Sequence, residues 1–491
     1  MKLLRFAALL LVFFSCVPAR AQMPRMPDEP ESPRQTCRPV PPGTSAASLA
    51  GPNAQNPFFG GVPSGERTAE PLSLSLRGSL DRALKHNLGL LLSQQGTREA
   101  RGARLKALSD LLPNATAHVT ETVQQVNLAQ FGFSGLPGIP PIVGPFSVFD
   151  TRAYLSQSLL DLHAIHNARA ESANLDAARY SYQDARDLVV LVTAGLYLQA
   201  VTGASRVEAQ RAQLQTAEAL FQRAVDLKKA GVVPGIDVLR AQVEMQAQRQ
   251  RLIYYENEFA KQKLALARAI GLPIAQEIIL TDRVPYAPPP SMTLEQASQQ
   301  ALSSRADYQS ALAQVRAAEA DRLASKAKSL PALRFDGNYG DIGRSPGSSH
   351  GSFVAAFDLK IPIFQGGKIR GEVLEADARL QQRKDELADL RGRIELEVRT
   401  AFLDLRASGD QVQVARGALD LANQQLEQAR DRFSAGVVNS IEVVQAQEAV
   451  ATANENYISS LFAFNLAKAS LARALGIAEK AIDQFLGGSQ Q

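Results

Sequence analysis

The sequence predicts a mainly α-helical chain with a small β part, built from two internal repeats. Three observations carry this. Long stretches rich in Ala, Leu, Gln, Glu, Arg and Lys, almost free of Pro, run over roughly 163–230, 235–270, 368–434 and 440–475, as long helices require. Residues 230–242 (AGVVPGIDVLRAQ) and 435–447 (AGVVNSIEVVQAQ) match at eight of thirteen positions, at an offset of 205. Between the helical stretches of each copy, the apolar period shortens from that of a helix to that of a strand.

The N-terminus reads as a secretory signal peptide over residues 1–21. Lys2 and Arg5 precede an apolar run from Phe6 to Phe14, and Ala19-Arg20-Ala21 offers a small-x-small cleavage site. A competing reading ends a lipoprotein leader at Cys16, but Phe13-Phe14-Ser15 fits such a site poorly. Cleavage after Ala21 leaves Cys37 alone, and two cysteines exclude a disulfide framework or a cysteine-rich zinc module. Residues 22–71 are rich in Pro, Ser, Gly and Ala without apolar periodicity, so a disordered or loosely attached arm is expected there, with the folded body starting near Leu72. The formal charge of +4 includes Lys2, Arg5 and Arg20 of the leader. The near-neutral remainder argues against a nucleic-acid partner, which needs a concentrated basic surface. No apolar run of about 18 residues follows the leader, which argues against a helical membrane span.

The duplication organises the body. Repeat 1 spans 72–283, repeat 2 spans 284–477 after a Pro-rich joint at 284–290, and 478–491 is left as a tail. The offset of 205 also aligns Leu214, Ala217, Phe221 and Ala224 with Leu419, Ala422, Leu426 and Ala429. With Phe433, that second set steps by 3 and 4, a coiled-coil seam in which Ala lets helices approach closely. Asp110-Leu111-Leu112-Pro113 matches Lys328-Ser329-Leu330-Pro331 at an offset of 218, so repeat 1 carries 13 additional residues, placed in the apolar segment 127–147.

Strand patterns follow each Leu-Pro, at about 114–126 and 147–159 in repeat 1 and about 332–340 and 351–363 in repeat 2. Leu333, Phe335 and Tyr339 alternate with Arg334, Asp336 and Asn338. Phe353, Ala355, Phe357, Leu359 and Ile361 alternate with Ser352, Val354, Ala356, Asp358 and Lys360. Phe149, Thr151, Ala153 and Leu155 alternate with Asp150, Arg152, Tyr154 and Ser156, whereas the first strand is weaker. Such strands fit a transmembrane barrel or a half-buried soluble sheet, and a charge at Phe357 would discriminate. Four strands cannot close a barrel, and lipid tolerates no open edge, so a membrane reading requires several chains to share one barrel.

The order helix, Leu-Pro, strand pair, long helix, Ala-Gly-Val-Val turn and long helix, repeated, resembles the TolC-type outer-membrane efflux family over about 72–477. So do Leu74-Ser75-Leu76 with Ala83-Leu84 and Asn87, and the run Ile361-Pro362-Ile363-Phe364-Gln365-Gly366-Gly367. The resemblance implies a homotrimer in the outer membrane, with a shared twelve-stranded β-barrel and a hollow coiled-coil α-barrel reaching into the periplasm. It implies a passive exit duct, for efflux or type I secretion, with a periplasmic adaptor and an inner-membrane pump as partners.

The resemblance makes the two turns, Gly231, Val232, Val233 and Gly436, Val437, Val438, the adaptor-docking tips; Gly supplies the freedom a tight turn needs, and exposed Val suggests docking. A plain helix–helix turn with its valines packed inside fits the same residues. Just past each turn stand Asp237 and Glu442, which the resemblance assigns to the periplasmic aperture with Gln445 one turn on. Both acids also suit the first turn of a helix without any pore. The family prototype latches its closed state with a basic residue where Val438 stands and a Tyr where Phe433 stands, so no latch of that type is expected. The segment 127–147 becomes an extracellular loop by position, a lid over the pore, a lipid-touching loop or a merely disordered one.

Enzymatic readings find little support. His163 and His166 beside Asp161 could begin a metal site, but no further ligand accompanies them. GxxxxGK[ST], GxSxG and HExxH are absent. No metal, cofactor or catalytic residue is expected. The remaining alternative is a periplasmic coiled-coil adaptor or structural protein, which explains the helices but not the strands or the full duplication.

Overall fold

The computed structural model describes residues 56–132, 140–282, 292–435, 437 and 440–486. The signal peptide, residues 22–55, the 284–290 joint, Gly436, Val438 and residues 487–491 lie outside the described residues.

Each repeat has the same plan. In repeat 1, α1 (Leu76–His86) and α2 (Leu88–Ser109) lead to strands β2 (Asn114–Asn127) and β3 (Ile142–Leu160). Then come α3 (Leu162–Lys229) and α4 (Gly235–Ala269). In repeat 2, α5 (Leu294–Ser304), α6 (Ala306–Ala327), β5 (Ala332–Gly343), β6 (His350–Lys360), α7 (Lys368–Ser434) and α8 (Ser440–Ala474) follow in the same order. The four long helices fall within about a residue of the stretches their composition predicts.

Lengths explain the packing. α3 has 68 residues and α7 has 67, each about 100 Å at 1.5 Å per residue. The helices beside them have 11, 22 and 35 residues in either repeat, which together cover the same length. Asp161 starts α3 by accepting a hydrogen bond from the Ala164 backbone N–H at 2.9 Å. By hydropathy, α3 holds a stretch long and apolar enough to cross a bilayer, although no unbroken apolar run of that length marks it in the sequence. That stretch is 72% buried in protein, so its apolarity serves the core.

The main core lies at mid-length of the long helices. Val190, Ala194 and Leu198 of α3 meet Ile394, Val398 and Leu405 of α7, Phe464 and Leu471 of α8, and Leu80 of α1. A second cluster joins Val189 and Tyr197 to Leu266, Ile270 and Ile278. Ile278 belongs to β4 (Ile278–Leu280), which pairs in parallel with β1 (Leu72–Leu74). The strand search misses this pair because three-residue strands carry no readable period. The Tyr197 hydroxyl donates to Leu74 O at 3.1 Å and Asp282 Oδ2 at 3.0 Å, and Asp282 accepts the Leu76 N–H at 2.7 Å.

Two boundaries need correction. Residues 56–71 belong to the folded body rather than to a disordered arm. Phe58 and Phe59 pack on the second cluster. The backbone of this segment bonds to the α1–α2 and α4 ends, with Val62 N–H to His86 O at 2.8 Å and Ser64 N–H to Gly271 O at 3.0 Å. Backbone pairing of this kind leaves no apolar period to detect. The tail from 478 likewise begins with α9 (Ala478–Leu486), whose Ala478, Ala481 and Ile482 enter the main core. Arg186 Nε holds it by donating to Glu479 Oε2 at 2.7 Å.

A two-faced sheet and two helical tips

The chemistry-bearing features are a sheet with two unlike faces and two helix–helix turns. Strands β2, β3, β5 and β6 form one antiparallel sheet in that order. Residues opposite each other share a face. The register places Ala115, Leu155, Gly337 and Ala355 in one row, and Ala117, Ala153, Tyr339 and Phe353 in the next. The flanking rows add Phe335 with Phe357, rings 5.3 Å apart, and Leu333 with Leu359. All the apolar sets of the separate strands therefore merge into one face, although each strand read alone shows only its own alternation. From Leu333 to Tyr339 this band runs about 20 Å along the strand at 3.3 Å per residue, or about 15 Å of height at the ~40° tilt of barrel strands, part of the ~25 Å band of a membrane barrel. Phe353, Phe357 and Tyr339 are exposed.

The opposite face is polar. It carries Asp150 paired with Arg152, Arg334 Nε donating to Asp336 Oδ1 at 3.0 Å, and His118 edge-on to Tyr154. The strand limits expected from sequence shift: β2, weakest in pattern, is paired along its length except at a bulge at Gln125, and β3 begins at Ile142, which shortens the expected loop 127–147. A helical turn at Leu128–Phe131 occupies its start with Phe131 exposed, and residues 133–139 lie outside the described residues. β6 stops at Lys360, short of the expected 363.

At the far end of the long helices, the described residues of the two turns share backbone bonds. Val232 N–H bonds to Leu227 O at 2.9 Å, and Val437 N–H bonds to Arg432 O at 3.0 Å, at the same offset of 205. Gly231 takes φ +75°, the left-handed conformation that closes a helix. Val232 and Val437 are exposed and Val233 is half-buried, which disfavours the reading with valines packed inside. Phe433 is buried with Leu426 and Val443 against Leu220 and Leu227, tying one hairpin to the other beneath the tips.

The two acids past the turns differ. Glu442 is partly exposed, and its Oε1 accepts from Arg432 Nη1 at 2.5 Å. Gln445 is exposed. Asp237 is 4% exposed, with Arg240 Nη1 at 3.3 Å from its carboxylate. Its burial inside the protomer disfavours a place for it in the aperture, because a ring acid faces the axis. Arg432, which the sequence reading overlooks, sets a cation beside the one acid that remains. Glu442→Gln should lower the cation preference of single-channel currents, and Arg432→Gln should raise it. Unchanged selectivity in both variants would remove this pair from any constriction.

Two of the candidate metal trio, Asp161 and His163, have structural partners. Asp161 caps α3, and His163 Nδ1 lies 3.0 Å from Ala324 O. Among the described residues no group of three or more His, Cys, Asp or Glu is placed to hold a metal ion.

Comparisons with known proteins agree with this geometry. A family model described as outer membrane efflux protein matches residues 80–272 and 297–477. The pyoverdine export outer membrane protein OpmQ of Pseudomonas aeruginosa is 25% identical over 417 residues, 81% of this chain and 84% of its own. The protein CyaE of Bordetella pertussis is 27% identical over 62% of this chain and 65% of its own. Among solved structures, the CmeC outer membrane channel of Campylobacter jejuni superposes with a TM-score of 0.72 at 16% identity, covering 88% of this chain and 95% of its own. The outer membrane protein VceC of Vibrio cholerae gives 0.70 at 18% identity over 82% and 96%. These likenesses concern the fold.

Proposed function

The chain belongs to the outer membrane efflux protein family and resides in the outer membrane, and from this premise we propose that three copies form a passive exit duct. The family match removes the adaptor alternative. The observation that carries the proposal is the sheet with one apolar face, one polar face and two open edges, β2 and β6. Lipid requires the apolar face outward and every edge closed. Two copies would give eight strands, whose interior side chains fill, whereas three give twelve and leave an opening lined by the polar face. The long helices continue from the strand ends as a tube into the periplasm.

Transport through such a duct needs no chemistry on the cargo. An inner-membrane pump supplies the drive, and a periplasmic adaptor docks at the tips, where Val232 and Val437 present apolar side chains to water. OpmQ is named for pyoverdine export, and the cargo of the present chain is set by the pump rather than by this wall. The testing experiment is the mass of the detergent-extracted particle from separated outer membranes, with conductance in planar bilayers. Three chains that conduct ions support the duct; a monomer or dimer, or a silent trimer, overturns it.

The tips give a second measurement. Val232→Asp combined with Val437→Asp should leave the trimer intact and cut cross-linking to the adaptor at least about tenfold, since desolvating a carboxylate opposes docking. Wild-type cross-linking in the double variant would move the docking site elsewhere.

A further inference from the structure

We infer that the segment Ile361–Phe364 is the closing strand end of the seam between two copies of this chain, with Lys360 of one copy opposite His118 of the next. The inference rests on the shared barrel proposed above and adds its register.

The starting point is an asymmetry between equivalent strands. The hairpin pairings Asn114 with Ser156 and Ala332 with Lys360 make Ser156 and Lys360 counterparts in the two repeats. β3 continues past Ser156 to Leu160, paired there with β5, while β6 ends at Lys360. The four residues after Lys360 are Ile361, Pro362, Ile363 and Phe364. Ile363 is 95% exposed and Phe364 87%, against 49% and 46% for their counterparts Leu159 and Leu160, which β5 flanks. Nothing in the composition of Ile361–Phe364 favours water. What differs is that β3 finds its second neighbour in the same chain and β6 does not.

The duplication names the missing neighbour. β5, the first strand of repeat 2, follows Leu330-Pro331 as β2, the first strand of repeat 1, follows Leu112-Pro113. The contact of β3 with β5 therefore has its equivalent in β6 against the β2 of another copy, and β2 is the other open edge of the sheet. Transferring the observed register of β3 and β5, where Leu155 faces Gly337, Ser156 faces Asp336 and Gln157 faces Phe335, sets the seam. Leu359 then lies opposite Val119, Lys360 opposite His118 and Ile361 opposite Ala117. This keeps the apolar residues Leu359, Val119, Ile361 and Ala117 on the lipid face and Lys360 and His118 on the polar face. Pro362 has no N–H, so it must occupy a non-hydrogen-bonded position. Such positions alternate, so Lys360 and His118 also form a non-hydrogen-bonded pair, in which side chains come closest.

The test is disulfide trapping in a Cys37→Ser background, with Lys360→Cys and His118→Cys in the same full-length chain. Directly opposite residues lie within disulfide reach, and residues displaced by two do not. Oxidation should convert at least half of the chains into a covalent trimer on a non-reducing denaturing gel. Pairing Lys360→Cys with Thr116→Cys or Thr120→Cys should give less than a tenth of that yield. Leu359→Cys with Val119→Cys, one rung away, repeats the test if the first pair fails to assemble. Maximal trapping in a displaced pair, or no trapping in particles whose native mass is that of a trimer, overturns the register alone. Particles of one or two chains would overturn the shared barrel with it.

Discussion

Ala355→Arg is expected to abolish assembly in the outer membrane, while Ala356→Arg leaves it intact. The two positions are adjacent, hold the same residue and differ only in the face they occupy. Ala355 lies mid-band in the apolar row with Ala115, Leu155 and Gly337, whereas Ala356 lies opposite Asp336 on the polar face. An Arg near the bilayer midplane costs about 2–4 kcal/mol, so three copies in one barrel cost about 6–12 kcal/mol. At position 356 the guanidinium enters water beside a carboxylate. Fractionated membranes and denaturant-resistant oligomers read the result. Equal assembly of the two variants would show that the face of Ala355 does not meet lipid, and the sheet would return to a soluble role.

The second large effect concerns the junction of α5 and α6 in repeat 2. Arg305 is 3% exposed. It donates through Nη2 to Asp307 Oδ2 at 2.6 Å and through Nη1 to Glu397 Oε2 at 2.5 Å, so it ties the start of α6 to α7. Burial opposes its charge, but the two carboxylates outweigh burial and hold its pKa above the ordinary value. Burial would likewise raise Asp307, and the hydrogen bonds from Arg305 outweigh it and hold Asp307 below the ordinary 3.8. Arg305→Met should lower stability by about 3 kcal/mol, the low end for a broken buried pair because Glu397 keeps access to water. A carboxylate depressed in the folded state stabilises above its unfolded pKa and loses that contribution as pH falls through the folded one. The gap between wild type and Arg305→Met, read as thermal midpoints in detergent, should therefore be full at pH 7 and close in acid below 3.8. A gap that persists unchanged in acid would assign the loss to packing alone.

Much of this architecture is legible before any coordinates. Ala- and Glu-rich stretches without Pro delimit α3, α4, α7 and α8 because helix propensity and apolar period are local properties. The Ala-Gly-Val-Val repeat locates both tips, because a left-handed turn leaves few choices besides Gly at Gly231. The alternation in Phe353–Leu359 marks β6 for the same reason. Asp237 and Glu442, by contrast, are indistinguishable as sequence. Each follows its turn by the same spacing, and only packing shows one buried beside Arg240 and the other partly exposed beside Arg432. The docking of residues 56–71 escapes notice because much of it is carried by backbone hydrogen bonds, which every residue type can accept and every type but Pro can donate.

Local pattern and duplication together determine which residues are helix, which are strand and how many times the plan occurs. They do not determine register, because a strand's alternation is unchanged when its neighbour slips by two residues. The tertiary structure alone decides that Ala115, Leu155 and Ala355 share one row, and so that four separate alternations become a single apolar face with open edges. Register depends on contacts between residues up to two hundred positions apart, and no window along the chain contains both partners.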